Sequence, residues 1–476
     1  MNKGFYSVMA AEFFSSLADN ALLIVAIALL AQMNAAPWMT PLLRLFFVMS
    51  YVGLAAFVGA FADALPKGKV MFITNTVKFC GCSLIFAGVH PLLAYAIVGL
   101  GAAAYSPAKY GILTELLPAE KLVIANGWIE GLTVTSIVMG TVLGGALINK
   151  HVSAFLLDHM TFAGSPAAAA LVVIMGVYVL AALFNLRIPD TGARYAKQPI
   201  NPVLLVRNFY HSFSTLWHDK LGQISLAVTT LFWGAGATLQ FIVLKWAQHS
   251  LGLTLDKAAF LQGIVAVGIA AGAVSAAKFI KLRQSLKVMP LGVAMGIVVM
   301  VMTLVHTVYL AYPLLVLVGA LAGFFVVPMN ALLQHRGHVL LSAGHSIAVQ
   351  NFNENLSILT MLGVYSLLVS LDLSVNAVII IFGSFVSAMM LLVMYWHAHN
   401  QKIQDSLHRL GDEKRHCRQA DDVTRKRDRG SRFFSVAGGR RFGSAGRLPF
   451  RVDCKQVQDM HFFAVRQNRA ENIFCR

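Results

Sequence analysis

The sequence predicts an all-α membrane protein in which twelve transmembrane helices form two halves of six. Of its 476 residues, 57% are hydrophobic and 12% are charged, whereas soluble domains carry roughly 25% charged residues. The apolar residues occur in blocks of about 20, the length that crosses a bilayer. The longest polar gap in the body of the chain runs from Pro189 to Lys220 and leaves six blocks on each side.

These blocks give the predicted spans in chain order. The spans cover residues 8–33, 41–63, 69–88, 91–116, 125–149, 166–188, 219–244, 258–280, 287–308, 311–333, 343–370 and 375–398. They divide the chain into a first half at 1–190, a cytoplasmic linker at 191–218, a second half at 219–398 and a tail at 399–476. Two six-helix halves joined by a polar loop are typical of transporters, whose site lies between the halves at mid-membrane.

Lysine and arginine in the loops predict the orientation, because cytoplasmic loops carry the excess of positive charge. One side of the predicted bundle carries Lys3, Lys67, Lys69, Lys121, Arg187, Arg194, Lys197, Arg207, Lys220, Lys278, Lys281, Arg283, Lys287 and Arg336. The other side carries Arg44, Lys150, Lys245 and Lys257. We therefore expect both termini to lie in the cytoplasm.

The first helix contains two acids, and the fourth helix contains a lysine. Glu12 and Asp19 are seven residues apart, which places them on one face of the first helix. A charge inside hydrocarbon is costly unless it faces a partner or a wet cavity, so these acids and Lys109 are candidate functional residues. The sequence predicts an attraction between Asp19 and Lys109 across the first half. Such a pair can serve as a gate, a ligand clamp or a structural ion pair.

Further polar residues interrupt later spans. Lys78 in the third helix is either a functional group or a side chain that snorkels to the interface. Glu130 in the fifth helix and Glu354 in the eleventh occupy similar positions in the two halves, and we expect both to bind substrate or to gate. Gln240 and Lys245, near the outer end of the seventh helix, are weaker candidates for the same roles, and Lys245 is alternatively an interface anchor.

The loop after the second helix contains Gly59, then Asp63 four residues later, then Lys67. A carboxylate and a lysine at a helix end can form a charge contact that breaks as two halves rock against each other. This spacing resembles the signature loop of the major facilitator superfamily, and with twelve spans in two halves it predicts that fold. We expect Gly59, Asp63 and Lys67 to form a conformational latch, weakened because Ala64 replaces the usual basic residue.

Motifs for enzymatic chemistry are weak. The chain has no glycine-rich phosphate loop that ends in Gly-Lys-Ser/Thr, so we do not expect ATP to drive it directly. A His-x4-Asp pattern occurs at His416 and Asp421, in the arginine-rich tail and without an apolar core around it. Cys80 and Cys82 are two residues apart and face different sides of a helix, so we expect no shared metal and no cofactor.

Six uncommon strings resemble the bacterial lysophospholipid transporters, a family within the major facilitator superfamily. The strings are Leu17–Leu23, Gly101–Glu115, Ala125–Gly127, Phe232–Leu239, Gly323–Gln334 and Ala348–Asn351, and the resemblance spans residues 5–398. The resemblance implies an inner-membrane flippase that moves lysophosphatidylethanolamine, and also lysophosphatidylglycerol, from the outer to the inner leaflet. It implies as functional partner the acyltransferase/acyl-carrier-protein synthetase that re-acylates the lipid inside.

The resemblance also bears on single residues. The family's aspartate in the first helix and lysine in the fourth match Asp19 and Lys109. Gln240 stands where members of the family carry arginine, so a headgroup or gate role of the seventh helix is in doubt unless Lys245 substitutes.

Two other classes of function compete with this one. A proton-coupled exporter of drugs or small solutes has the same fold, with Asp19 or Glu354 as the group that titrates. A membrane enzyme that acts on lipids is the third class. The body of the chain contains no credible nucleophile or acyltransferase motif, which argues against it.

The tail differs from the rest in composition. Residues 399–476 contain 18 Lys and Arg against 9 Asp and Glu, and the composition is typical of disorder. It is either non-native translation past a shifted reading frame or a basic segment held against anionic headgroups. A nucleic-acid arm is disfavoured because aromatic residues do not alternate with the basic ones. We predict that transport does not need the tail.

Overall fold

The computed structural model is a bundle of fifteen α-helices, and it describes residues 3–35, 39–160, 164–193, 195, 201–253 and 255–403. No strand occurs in these residues. The α-helices are α1 Lys3–Gln32, α2 Met39–Gly53, α3 Ala55–Ala64, α4 Lys67–Phe86, α5 Pro91–Leu116, α6 Leu122–Leu147, α7 Lys150–His159, α8 Pro166–Leu186, α9 Pro202–His218, α10 Gly222–Ser250, α11 Leu255–Phe279, α12 Met289–Val301, α13 Val308–Leu340, α14 Ala343–Ser370 and α15 Val375–Ile403. Short 3₁₀ turns cover Ala119–Lys121, Leu282–Val288 and Met302–Leu304.

The twelve predicted spans are confirmed. Eleven helices among the described residues are long and apolar enough to cross a membrane. Helices α2 and α3, bent by 67° where they meet, give the twelfth span when the pair is counted as one. The bend follows Gly53, where the missing side chain lowers the cost of leaving the helix. The chain is thus a multi-pass membrane protein.

Each half has an apolar core of its own. Leu22, Val98 and Tyr178 belong to a core built only from helices of the first half. Trp246 and Leu315 belong to a separate core in the second half, where the Trp246 Nε1 donates a hydrogen bond of 2.9 Å to a backbone carbonyl. Each of these two cores therefore lies within a single half.

The linker between the halves contains a helix, α9, which was not predicted from the sequence. Helix α9 buries Leu216 and packs Phe213 and Trp217 against the second half. The ring of Trp217 stacks on Trp396 of α15, with centroids 6.5 Å apart. Helix α15 continues to Ile403, so residues 399–403 of the predicted tail are helical. Residues 404–476 of the predicted tail lie outside the described residues.

We call one end of the bundle the Asp63 end, after the residue at the end of α3, and the other the Asn34 end, after the residue that follows α1. The halves meet where α3 and α5 pack on α14, and where α6 packs on α11 and α13. Two glycines near the Asp63 end allow the close approach. A Cβ added to Gly59 would lie 3.0 Å from the Cα of His345, and one added to Gly127 would lie 3.0 Å from the carbonyl of Ala273. The bundle is therefore closed at the Asp63 end.

Candidate functional site

Asp19 lies at the centre of the first polar cluster, inside the first half. Lys78 on α4 donates to Asp19 Oδ2 at 2.7 Å, and Tyr178 on α8 donates to Oδ1 at 2.7 Å. Lys78 also donates to Ser15 at 2.9 Å, and Ser15 donates to Asn75 at 2.7 Å. Lys78 is only 2% exposed, so the alternative that it snorkels to the interface is wrong.

Glu12 and Lys109 form a second buried ion pair on the Asp63 side of the first. Lys109 donates to Glu12 Oε1 at 2.9 Å, and Thr133 on α6 makes a long hydrogen bond of 3.4 Å to the same oxygen. The ammonium of Lys109 also lies 4.3 Å from the ring centroid of Tyr110. Three helices, α1, α5 and α6, therefore meet at this pair.

The predicted attraction of Asp19 to Lys109 is wrong in its pairing, and the reason is axial position. At 1.5 Å of rise per residue, Glu12 lies about 14 Å and Asp19 about 24 Å from the start of α1. Lys109 lies about 10 Å from the end of α5 on the same side of the bundle, level with Glu12. Lys78, about 16 Å along α4, reaches Asp19 instead.

Four polar side chains connect the halves in one continuous chain, which we call the polar bridge. Asn330 on α13 donates to Glu130 Oε1 on α6 at 3.2 Å. Gln350 on α14 donates to Asn330 Oδ1 at 3.1 Å and to Glu354 Oε1 at 2.7 Å. All four residues are buried. Glu130 and Glu354, the two predicted acids of the later spans, are thus joined through two amides.

Two further pairs of polar side chains cross between the halves. Asn126 and Gln334 exchange two hydrogen bonds of 2.8 Å through their amide groups. Ser106 and Asn351 lie 2.9 Å apart, hydroxyl oxygen to amide nitrogen. Sequence reasoning assigned no role to these amides or to Asn330. The signal for them was an uncharged amide within an apolar span, a weaker signal than a charge.

The predicted latch residues come together with the start of α14. Lys67 donates to Asp63 Oδ1 at 2.6 Å. From the second half, the Gly344 amide donates to Oδ1 at 3.0 Å, and His345 Nδ1 lies 2.9 Å from Oδ2. The hydroxyl of Ser342 also donates to Asp63. Asp63 therefore caps the N-terminus of α14, where the helix dipole favours a negative charge.

The latch combines serine, histidine and aspartate without the geometry of a hydrolase. Both Ser342 and Asp63 contact the same ring nitrogen of His345, Nδ1. A catalytic triad needs the two ring nitrogens on different partners, so that the ring can carry a proton from one to the other. The arrangement is instead a helix cap that receives a histidine from the opposite half.

Glu115 extends the latch toward the linker. Its carboxylate lies 3.7 Å from the Lys67 ammonium and accepts a hydrogen bond of 2.8 Å from Tyr195. Burial and the adjacent Glu115 carboxylate raise the pKa of Tyr195, so the phenol stays a neutral donor. The linker is thus tied to the same end of the bundle as Asp63.

Gln240 and Lys245 lie apart from these clusters. Both side chains are exposed on α10, toward the Asn34 end. The backbone carbonyl of Gln240 accepts a hydrogen bond of 3.1 Å from Gln262 on α11. Their placement does not bring them to the polar bridge or to the ion pairs of the first half.

Solved structures show the same architecture. The fold matches the E. coli fucose:proton symporter FucP at a TM-score of 0.65 and 13% identity, covering 82% of this chain and 98% of that one. It matches a bacterial homologue of the iron transporter ferroportin, in the outward-facing state, at a TM-score of 0.64 and 16% identity, covering 84% and 100%. The family model of the Major Facilitator Superfamily matches residues 8–359.

The two packed halves, the latch and a charged interior define a transporter of the major facilitator class. Sequence relatives narrow the family. The chain is 44% identical over 379 residues to the lysophospholipid transporter LplT of Pectobacterium carotovorum, which covers 79% of this chain and 89% of that protein. It is 43% identical over 397 residues to LplT of Citrobacter koseri, covering 83% and 96%. The chain belongs to the LplT family of the major facilitator superfamily, which confirms the resemblance.

Proposed function

We propose that this protein is a flippase that moves lysophospholipid from the outer to the inner leaflet of the bacterial inner membrane. The observation that carries the proposal is the charged and amide-rich interior between two apolar halves, in a chain whose relatives are lysophospholipid transporters. A lysophospholipid has one acyl chain and one charged headgroup. The polar interior shelters the headgroup, while the acyl chain stays in lipid at the edge of the bundle.

The ion pairs of the first half supply cations for the headgroup phosphate. Lys78 and Lys109 each hold a carboxylate at hydrogen-bond distance. A phosphate that enters binds the lysine beside Asp19 or Glu12, because an ammonium has three N–H donors. The carboxylate keeps its lysine, so no buried acid loses its counter-charge in the low-dielectric interior.

The Asp63 end faces the cytoplasm in this proposal, with both termini on that side. The loop lysines and arginines support this orientation, because most of them lie at the Asp63 end. The structure then corresponds to a state closed toward the cytoplasm, and breaking the latch opens the route inward. The transported lipid is lysophosphatidylethanolamine or lysophosphatidylglycerol, which an acyltransferase on the inner side re-acylates.

The test uses spheroplasts that lack their own transporter but contain the acyltransferase. Labelled lysophosphatidylethanolamine is presented to the outer face, with and without expression of this chain. We expect conversion to diacyl lipid only when the chain is expressed. If the inserted protein gives no conversion, lysolipid flipping is refuted, and export of a small solute driven by a proton gradient becomes the next function to assay.

A further inference from the structure

The two acids of the polar bridge differ from the other buried acids of the interior. Asp19, Glu12 and Asp63 each form an ion pair with a lysine. Among the described residues, no lysine or arginine lies within ion-pair distance of Glu130 or Glu354. The amides of Asn330 and Gln350 donate to them, and the hydroxyls of Tyr110 and Thr229 also face them. A buried carboxylate whose partners are all neutral has unused capacity for a cation.

A third acceptor lies between these acids. Gln350 donates its amide N–H groups to Asn330 and Glu354, which leaves its Oε1 directed elsewhere. That oxygen is buried without a hydrogen-bond partner in the described structure, on a residue that is 4% exposed. A primary ammonium has three N–H donors, and charge-assisted hydrogen bonds to carboxylates are the stronger kind. Two carboxylates and one amide oxygen match such a group in number and in charge.

We propose that Glu130, Glu354 and the Oε1 atom of Gln350 form a subsite for the primary ammonium of an ethanolamine headgroup. The subsite rests on the proposed transport of lysophospholipids, and it determines how the free amine of an ethanolamine headgroup is held. It uses the acids that hold no cation, in contrast to Asp19 and Glu12, which first have to release their lysines.

The position of the Lys109 ammonium suits a zwitterionic headgroup that contacts both halves. Lys109 contacts Glu12, and Glu12 also accepts a hydrogen bond from Thr133, which lies one turn from Glu130 on α6. In phosphoethanolamine the ammonium is two carbons from the phosphate ester oxygen. A headgroup with its phosphate at Lys109 therefore presents its ammonium toward the polar bridge, so that residues of both halves hold one molecule.

The test compares two lysolipids that differ only in the amine. Proteoliposomes containing the purified full chain are given radiolabelled lysophosphatidylethanolamine or its N-acetyl derivative, and inward movement is measured by albumin back-extraction. We expect the unmodified protein to move the free amine at least about tenfold faster, which corresponds to about 1.4 kcal/mol. In Glu130→Gln and Glu354→Gln, we expect that ratio to fall below about threefold, with the N-acetyl rate kept within about twofold.

Two variants control for structural effects. Thr360→Ala lies on the exposed face of α14 and should keep the ratio of the unmodified protein. Glu354→Asp keeps the charge and should retain most of the ratio, which a loss of fold would not. The subsite is refuted if the unmodified protein moves both lipids equally, if both variants keep the full ratio, or if the two rates fall together. If no lysolipid moves at all, the proposed function itself is refuted.

Discussion

The pair of Asp19 and Lys78 is buried where no water stabilises an unpaired charge. Lys78 Nζ lies 2.7 Å from Asp19 Oδ2, and the two side chains are 2% and 15% exposed. Removing one partner of a buried pair costs about 3–5 kcal/mol, because the other charge is left uncompensated. We expect Lys78→Met to lower the thermal unfolding temperature of the detergent-purified protein clearly, and Lys78→Met with Asp19→Asn to restore most of the loss.

A matched comparison comes from the same helix. Thr76→Val, at an exposed position on α4, should leave the unfolding temperature unchanged. If the double variant is as unstable as the single one, the lysine stabilises by packing and not by its charge. The folded double variant should still transport poorly, because a cation for the headgroup phosphate is gone.

For single residues, the sequence reveals the candidates for a functional role. It reveals less readily which of these residues are in contact. Glu12, Asp19, Lys78 and Lys109 stand out because each places a charge in an apolar span, where it has to find a partner. Their pairing depends on how far each helix is displaced along the bundle, and one turn is enough to exchange partners. That displacement is set by packing of whole helices, which residue spacing within one helix does not contain.

Helix packing at the Asp63 end depends on the absence of a side chain at Gly127. A Cβ there would lie 2.7 Å from the Cβ of Ala277 and 3.0 Å from the carbonyl of Ala273. We therefore expect Gly127→Val to hold α6 away from α11 and to trap the protein open at the Asp63 end. A reporter cysteine at Ala348, which is 1% exposed, should become reactive to a maleimide added from that side.

The control for this wedge lies one turn along the same helix. A Cβ at Gly131 has no heavy atom within 4 Å, so Gly131→Val should leave the reporter protected. Both changes alter helix propensity equally, because both replace glycine by valine within α6. Equal labelling in the two variants would show that α6 and α11 do not form the closed contact described here.

The latch offers a second test of the same closure. Asp63 accepts from Gly344 at 3.0 Å and contacts Lys67 and His345, so one carboxylate joins α3, α4 and α14. A charge at a partly buried helix N-terminus contributes about 1–2 kcal/mol. In Asp63→Asn we expect several-fold faster labelling of the Ala348 reporter, with the protein still inserted. His345→Gln keeps a donor at the contact and should have a smaller effect; the reverse order would mean that the histidine dominates.

The membrane-spanning helices could be predicted well from the sequence, whereas a helix outside the bilayer, such as α9, could not. Apolar blocks of about 20 residues mark each span because hydrocarbon offers no hydrogen bonds to the backbone. Helix α9 gives no such signal, since it lies outside the bilayer and its apolar residues pack against the second half. The sequence predicts a weak latch because Ala64 replaces a basic residue. It does not show that His345 approaches Asp63 from the other half, a contact that only folding supplies.

For the whole molecule, the two-half plan could be read from the chain because the polar gap at residues 189–220 separates equal numbers of spans. The polar bridge could not, because Glu130 and Glu354 are 224 positions apart and are joined through amides of two other helices. Orientation in the membrane and the boundaries of the halves stay predictions that loop charge and span count support.

We expect the end of α15 to divide the residues that transport needs from those that it does not need. Trp396 stacks on Trp217, and the amide oxygen of Asn400 accepts a hydrogen bond of 3.3 Å from Lys220, so this end of the helix holds α9 and the start of α10. Residues beyond Ile403 belong to the basic tail. We expect a chain truncated after Ile403 to move lysolipid at the rate of the full chain in the proteoliposome assay.

A second truncation makes this comparison informative. A chain that ends after Met394 loses Trp396 and Asn400, and should show lower thermal stability and reduced transport. If the chain that ends after Ile403 inserts and unfolds normally but transports slowly, the tail has a role of its own. The assay is then repeated in vesicles with and without anionic lipid. A basic tail that acts by binding headgroups stimulates transport only where anionic lipid is present.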